Sequence, residues 1–91
     1  VLSLIDRTCR AAAEHGRWVG VCGEAAGDPL AVPILVGLGV TELSMTPVAI
    51  AQVKDVVRRI DVPEARQLAA AALEMTSAES VRRAASRYLA G

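Results

Sequence analysis

A short apolar run, Trp18-Val19-Gly20-Val21-Cys22, and a second candidate strand, Glu42-Leu43-Ser44-Met45, flank one helix-containing segment, and this spacing constrains the fold more than any other feature. The length of the first run and its bounding glycines suit a strand buried on both faces, and both segments are read as such strands. A link of roughly twenty residues containing its own helix joins parallel strands, not a hairpin. Helix signals also lie outside the two segments. Leu2, Ile5, Cys9, Ala12 and Ala13 fall on one stripe at helical spacing, and Gly16 follows His15 as a helix ending. Asp28-Pro29 predicts a helix from about Leu30 to Leu38, with Asp28 as N-cap, closed by Gly39. Thr46-Pro47 starts another that runs to about Arg59, with Ala49, Val53, Val56 and Ile60 along one face. The order is helix, strand, helix, strand, helix, the pattern of a parallel α/β structure.

The remaining third departs from this alternation. Asp61-Val62-Pro63 starts a helix whose apolar side carries Ala65, Leu68, Ala69, Ala72 and Leu73. Thr76 and Glu79 have capping-box spacing before a last helix. There Val81, Ala85, Tyr88 and Leu89 face one way, and Arg82, Arg83 and Arg87 another. Residues 1–60 therefore read as α/β elements and 61–91 as a helical tail. Two strands do not make a stable parallel sheet by themselves. Strands from further sequence, or from a second copy, are expected beside them. Val1 already lies inside a helical pattern, so a cut through a longer polypeptide is the expectation.

Composition narrows the function classes. Ten basic residues balance ten acidic ones, which gives no electrostatic case for nucleic acid or an anionic membrane. The apolar share is 53% with only 2% aromatic, so alanine carries much of it and close-packed helices are favoured. The apolar stretch near Leu30 to Val40 is too short to span a bilayer and is broken by Pro33, Gly37 and Gly39. No targeting segment is evident, and a cytoplasmic protein is expected.

In parallel α/β folds, ligands meet the loops at the carboxyl ends of strands. Cys22 ends the first strand and leads into Gly23-Glu24-Ala25-Ala26-Gly27-Asp28, the most glycine-punctuated polar loop of the chain. Position alone leaves two readings open: a nucleophile, ligand or proton carrier, or a small buried hydrophobe. Cys9, on an apolar helix stripe, reads as core. The two cysteines form no metal or redox motif.

The run Val19-Gly20-Val21-Cys22-Gly23-Glu24-Ala25-Ala26-Gly27-Asp28-Pro29, continued by Leu35-Val36-Gly37-Leu38-Gly39-Val40-Thr41-Glu42-Leu43-Ser44-Met45, resembles the C-terminal signature of the phosphoenolpyruvate-protein phosphotransferases. These are enzyme I of the bacterial sugar phosphotransferase system; pyruvate phosphate dikinase and phosphoenolpyruvate synthase carry related versions. Val21 stands where the family more often has methionine. The resemblance implies the C-terminal quarter of a (β/α)8 TIM barrel, from helix six to helix eight, followed by two C-terminal helices. It also implies transfer of the phosphoryl group of phosphoenolpyruvate to a histidine in an N-terminal domain, then to a histidine phosphocarrier protein for sugar uptake. In that reaction the cysteine matching Cys22 protonates the enolate of pyruvate, within an active-site loop that includes Gly23, Glu24, Gly27 and Asp28. Magnesium is implied for the full-length enzyme, with ligands outside this chain, and so is a homodimer. The 91 residues alone are expected to be inactive.

Other candidates have plainer readings. His15, at a helix end beside Gly16, suits the helix dipole and a surface role. Glu24 and Asp28 are weak candidates as metal ligands, and Asp28 has the role of a helix cap. Gly37-Leu38-Gly39 ends a helix and is no dinucleotide fingerprint. Ser44 has no histidine-acid pair in evidence and reads as part of a strand wall. The pairs Arg58-Arg59 and Arg82-Arg83 read as solvated helix faces or interface residues. A non-catalytic self-association module is the reading from another class.

Overall fold

A computed structural model describes all residues, Val1–Gly91. In chain order the elements are α1 (Leu2–Glu14), β1 (Gly20–Cys22), α2 (Val32–Leu38), β2 (Glu42–Ser44), α3 (Pro47–Arg59), α4 (Val62–Leu73) and α5 (Ala78–Ala90). The two strands pair in parallel, with Gly20 opposite Glu42, Val21 opposite Leu43 and Cys22 opposite Ser44. The helix-strand alternation and the two successive final helices both match the sequence reading.

The strands differ from expectation in length and burial. Pairing begins at Gly20, so Trp18 and Val19 precede the first strand, and Met45 follows the second. Each strand is exposed, half-buried, exposed along its three residues. Side chains alternate across a strand, so only Val21 and Leu43 reach the helix-covered face. They pack against Cys9 of α1, Leu35 of α2 and Val40. Gly20, Cys22, Glu42 and Ser44 belong to the other face, which no element of this chain covers. Burial on both faces therefore does not occur within these 91 residues.

Helix α2 is the hub. Val32, Pro33, Ile34 and Leu35, four residues in a row, are all buried, as befits a helix with neighbours on every side. Leu35 faces the sheet. Val32 meets Val53 and Val56 of α3. Ile34 packs with Ala69 and Ala72 of α4 and Ala85 of α5. The small side chains on α4 let its backbone come close to α2. Gly37 completes that contact: a Cβ there would overlap the Ala65 carbonyl and lie 2.9 Å from the Ala69 Cβ.

The helix ends explain where the sequence signals held. Gly39 closes α2 at φ 108°, a conformation that favours glycine. Asp61 caps α4 by accepting the Glu64 N–H. Asp28 is not the N-cap of α2. Its carboxylate accepts the Leu30 N–H, and its carbonyl accepts those of Ala31 and Val32, forming a turn ahead of the helix. Pro33 has no N–H to return to the Pro29 carbonyl, so helical bonding starts afresh and Ala31 becomes the N-cap. Thr46 is the N-cap of α3, yet its side chain makes no capping bond. The last helix starts one residue later than the Thr76 signal. Ser77 accepts the Ser80 N–H at 3.1 Å, and Glu79 pairs with Arg83 along the helix. No helix is long and apolar enough to cross a membrane.

Candidate active site

The site grows from the end of β1. Cys22 is the last strand residue, and its thiol is exposed. Register sets it beside Ser44 on the uncovered face, with Gly20 and Glu42 one repeat below. Trp18, largely exposed, lies over the same lower end: its ring sits 3.3 Å from where a Gly20 Cβ would project. Gly23 then turns the chain at φ 93°, which a side chain would oppose. The thiol thus stands at the carboxyl end of a parallel pair, open to a ligand approaching the loop side.

Cys9 contrasts with it. Only 7% exposed, it packs with Leu35 and Val40. Burial, with a smaller contribution from Asp6, pushes its thiol above the ordinary cysteine value. A thiol reagent is therefore expected to modify Cys22 quickly in the folded protein and Cys9 only after denaturation. Mass spectrometry of the labelled peptides checks this; equal labelling of both would contradict the packing of α1.

The loop after Cys22 is tied down at three points. Backbone bonds from Gly27 to the Glu24 carbonyl and from Asp28 to the Ala25 carbonyl fold it into successive turns. Ala26 is fully buried. Gly27 lies against the start of α3, where a Cβ would meet those of Ala49 and Met45 at 3.3 and 3.5 Å. Asp28 uses both carboxylate oxygens: Oδ1 accepts the Leu30 N–H at 3.0 Å, and Oδ2 accepts from Arg82 Nη1 at 2.9 Å. Glu24 is exposed on the loop.

Arg82, which the sequence pattern assigns to a solvated helix face or an interface, pairs instead with the Asp28 carboxylate. Its partner lies 54 residues earlier, so no local pattern signals the pair. Arg83 behaves as a surface cation, paired with Glu79 one helical turn away. His15 is the exposed C-cap of α1. No three His, Cys, Asp or Glu side chains gather in a metal-binding group, and Asp28 is already engaged.

The sequence profile described as "PEP-utilising enzyme, PEP-binding domain" matches residues 1–62, from α1 to the start of α4. The chain belongs to the PEP-utilising enzyme family. Among curated relatives, the multiphosphoryl transfer protein of Xanthomonas campestris pv. campestris is 50% identical over 82 residues, covering 90% of this chain and 10% of that protein. The phosphoenolpyruvate-protein phosphotransferase of Listeria monocytogenes is 39% identical over 90 residues, covering 99% of this chain and 16% of that protein. Its namesake from Haloferax volcanii is 50% identical over 74 residues, 81% of this chain and 13% of that protein. The chain thus spans between a tenth and a sixth of the length of these members of the family. The profile covers the sheet, the Cys22 loop and the helices that position them, and stops where the helical tail begins.

Proposed function

We propose that this chain forms the closing quarter of the (β/α)8 barrel of a phosphoenolpyruvate-protein phosphotransferase, and that Cys22 carries the proton in its reaction. In this reading residues 1–60 supply helix six to helix eight of the barrel, and 61–91 are the tail that follows. The bare face of the two-stranded sheet, with Cys22 and Ser44 at its upper end, is the face such a barrel turns inward. Further strands beside β1 and β2 would satisfy their free edges. The observation that carries the proposal is the exposed Cys22 thiol at a strand's carboxyl end, leading into the matched loop.

The chemistry fits a thiol. When the phosphoryl group leaves phosphoenolpyruvate, the enolate of pyruvate remains. Cys22 S–H gives its proton to the methylene carbon: a C–H bond forms, the carbonyl re-forms, and the S–H electron pair stays on sulfur as thiolate. In reverse the thiolate takes a proton from the methyl group. Thiols have an unperturbed pKa of about 8.5, within reach of both directions near neutral pH. The arginines, magnesium ligands and acceptor histidine of the phosphoryl step would lie outside these residues, as would the surface for a histidine phosphocarrier protein. A cytoplasmic homodimer is part of the same reading. The names of the relatives favour the phosphotransferase branch over the dikinases and synthases.

The test is phosphoryl transfer from labelled phosphoenolpyruvate with magnesium. The intact protein is expected to yield pyruvate and an acid-labile phosphoprotein, and the 91 residues alone neither. An intact protein that forms no pyruvate would overturn the proposal.

A further inference from the structure

Four ion pairs occur in the chain, and three of them, Arg10–Asp6, Arg59–Asp55 and Arg83–Glu79, join residues one helical turn apart. The fourth, Arg82–Asp28, alone links different elements, at 2.9 Å. It runs from the first turns of α5 to the last residue of the Cys22 loop. We infer that Arg82 is a positioning residue: through Asp28 it holds the Gly23–Asp28 loop, and with it the Cys22 thiol, in the geometry used for proton transfer. The inference rests on the role proposed for Cys22 and adds that the tail helix takes part in setting it.

The arrangement separates two jobs at Asp28. Oδ1 closes the turn with the Leu30 N–H, and Oδ2 faces only Arg82. The rest of the loop is held by packing, at Ala26 and Gly27, and by its own backbone bonds. The ion pair is therefore the one side-chain tether between the tail and the loop. Both partners touch solvent, with side chains 58% and 30% exposed, so screening keeps the pair's share of global stability small. Its effect is local: without it the Asp28 carboxylate loses its only bond to α5 while the packing at Ala26 and Gly27 remains, and even a small misplacement of a reacting group slows chemistry more than it weakens binding.

Three variants of the intact phosphotransferase test this. Asp28→Asn keeps an Oδ1 acceptor for Leu30 and removes only the charge facing Arg82. Arg82→Ala removes the other partner, and Arg82→Lys restores a cation. Pyruvate methyl proton exchange at saturating pyruvate is expected to slow about threefold to fivefold in Asp28→Asn and in Arg82→Ala, the range a surface pair supports, with KM changed less than about twofold. The double variant is expected to be no slower than either single one, because both remove the same tether. Arg82→Lys should recover most of the rate. The rate of Cys22 alkylation by iodoacetamide, which requires no turnover, is expected to shift in the same two variants and to return in Arg82→Lys. Unchanged exchange and alkylation in Arg82→Ala, or additive losses in the double variant, would overturn the inference. Should Cys22→Ala still exchange normally, the proposed function itself fails, and the alkylation rates alone then decide whether Arg82 sets the loop.

Discussion

Gly37→Ala is expected to destabilise the domain by about 2–3 kcal/mol, the upper part of the usual range for overpacking. Helix propensity predicts the opposite sign, since alanine in a helix interior is favoured over glycine by about 1 kcal/mol. Packing decides the outcome. The added methyl would overlap the Ala65 carbonyl, which is backbone and has no rotamer to change. Relief requires α2 and α4 to separate. That would loosen Ile34 from Ala69, Ala72 and Ala85, buried alanines with no longer side chain of their own to follow the movement. In the intact barrel of the proposed reading, about 250 residues, the loss corresponds to a fall in Tm of roughly 4–12 °C. Gly37→Val should be worse. Thermal unfolding followed by circular dichroism checks it; an alanine variant as stable as the parent would mean that α2 and α4 do not approach as described.

Most elements were legible because their signals are local. Asp61 and Pro63 marked the start of α4, Gly39 the end of α2, and the stripes through Val53 and Val56, and through Ala65, Ala69 and Ala72, lie on the buried faces. The misreadings arose where two local signals competed or where a distant partner decided. Asp28 looked like a helix cap, but Pro33 cannot donate to Pro29 and so displaced the helix start beyond it. Thr76 and Glu79 had the right spacing, yet Ser77 and Ser80 make the cap. The strands read as buried on both faces, yet nothing within these residues covers the face that carries Cys22 and Ser44. Within the candidate site, the position of Cys22 at a strand end followed from the glycine that comes after it. The Arg82–Asp28 tether could not be read from any spacing, as four elements, α2, β2, α3 and α4, lie between its partners.

Under the proposed proton-carrying role of Cys22, Cys22→Ala is expected to have the largest effect on activity. The side chain is exposed and makes no core contact, so its loss should alter stability by no more than about 0.5 kcal/mol. The loop keeps its remaining anchors at Ala26, Gly27 and Asp28. What disappears is the only thiol on the open side of the sheet, since Cys9 is enclosed by Leu35 and Val40. A positioned acid or base contributes about a hundredfold to ten-thousandfold to a proton transfer, and a methyl group supplies none of it. Cys22→Ser should fare little better, because a hydroxyl is too weak an acid to exchange protons readily at neutral pH.

Deuterium entry into the methyl group of pyruvate, followed by NMR in heavy water with the intact enzyme, measures that proton transfer directly. The parent protein is expected to exchange the methyl protons, and Cys22→Ala to do so at least about a hundredfold more slowly while unfolding at an unchanged temperature. Exchange at the parental rate in Cys22→Ala would contradict the assignment of the proton to this thiol.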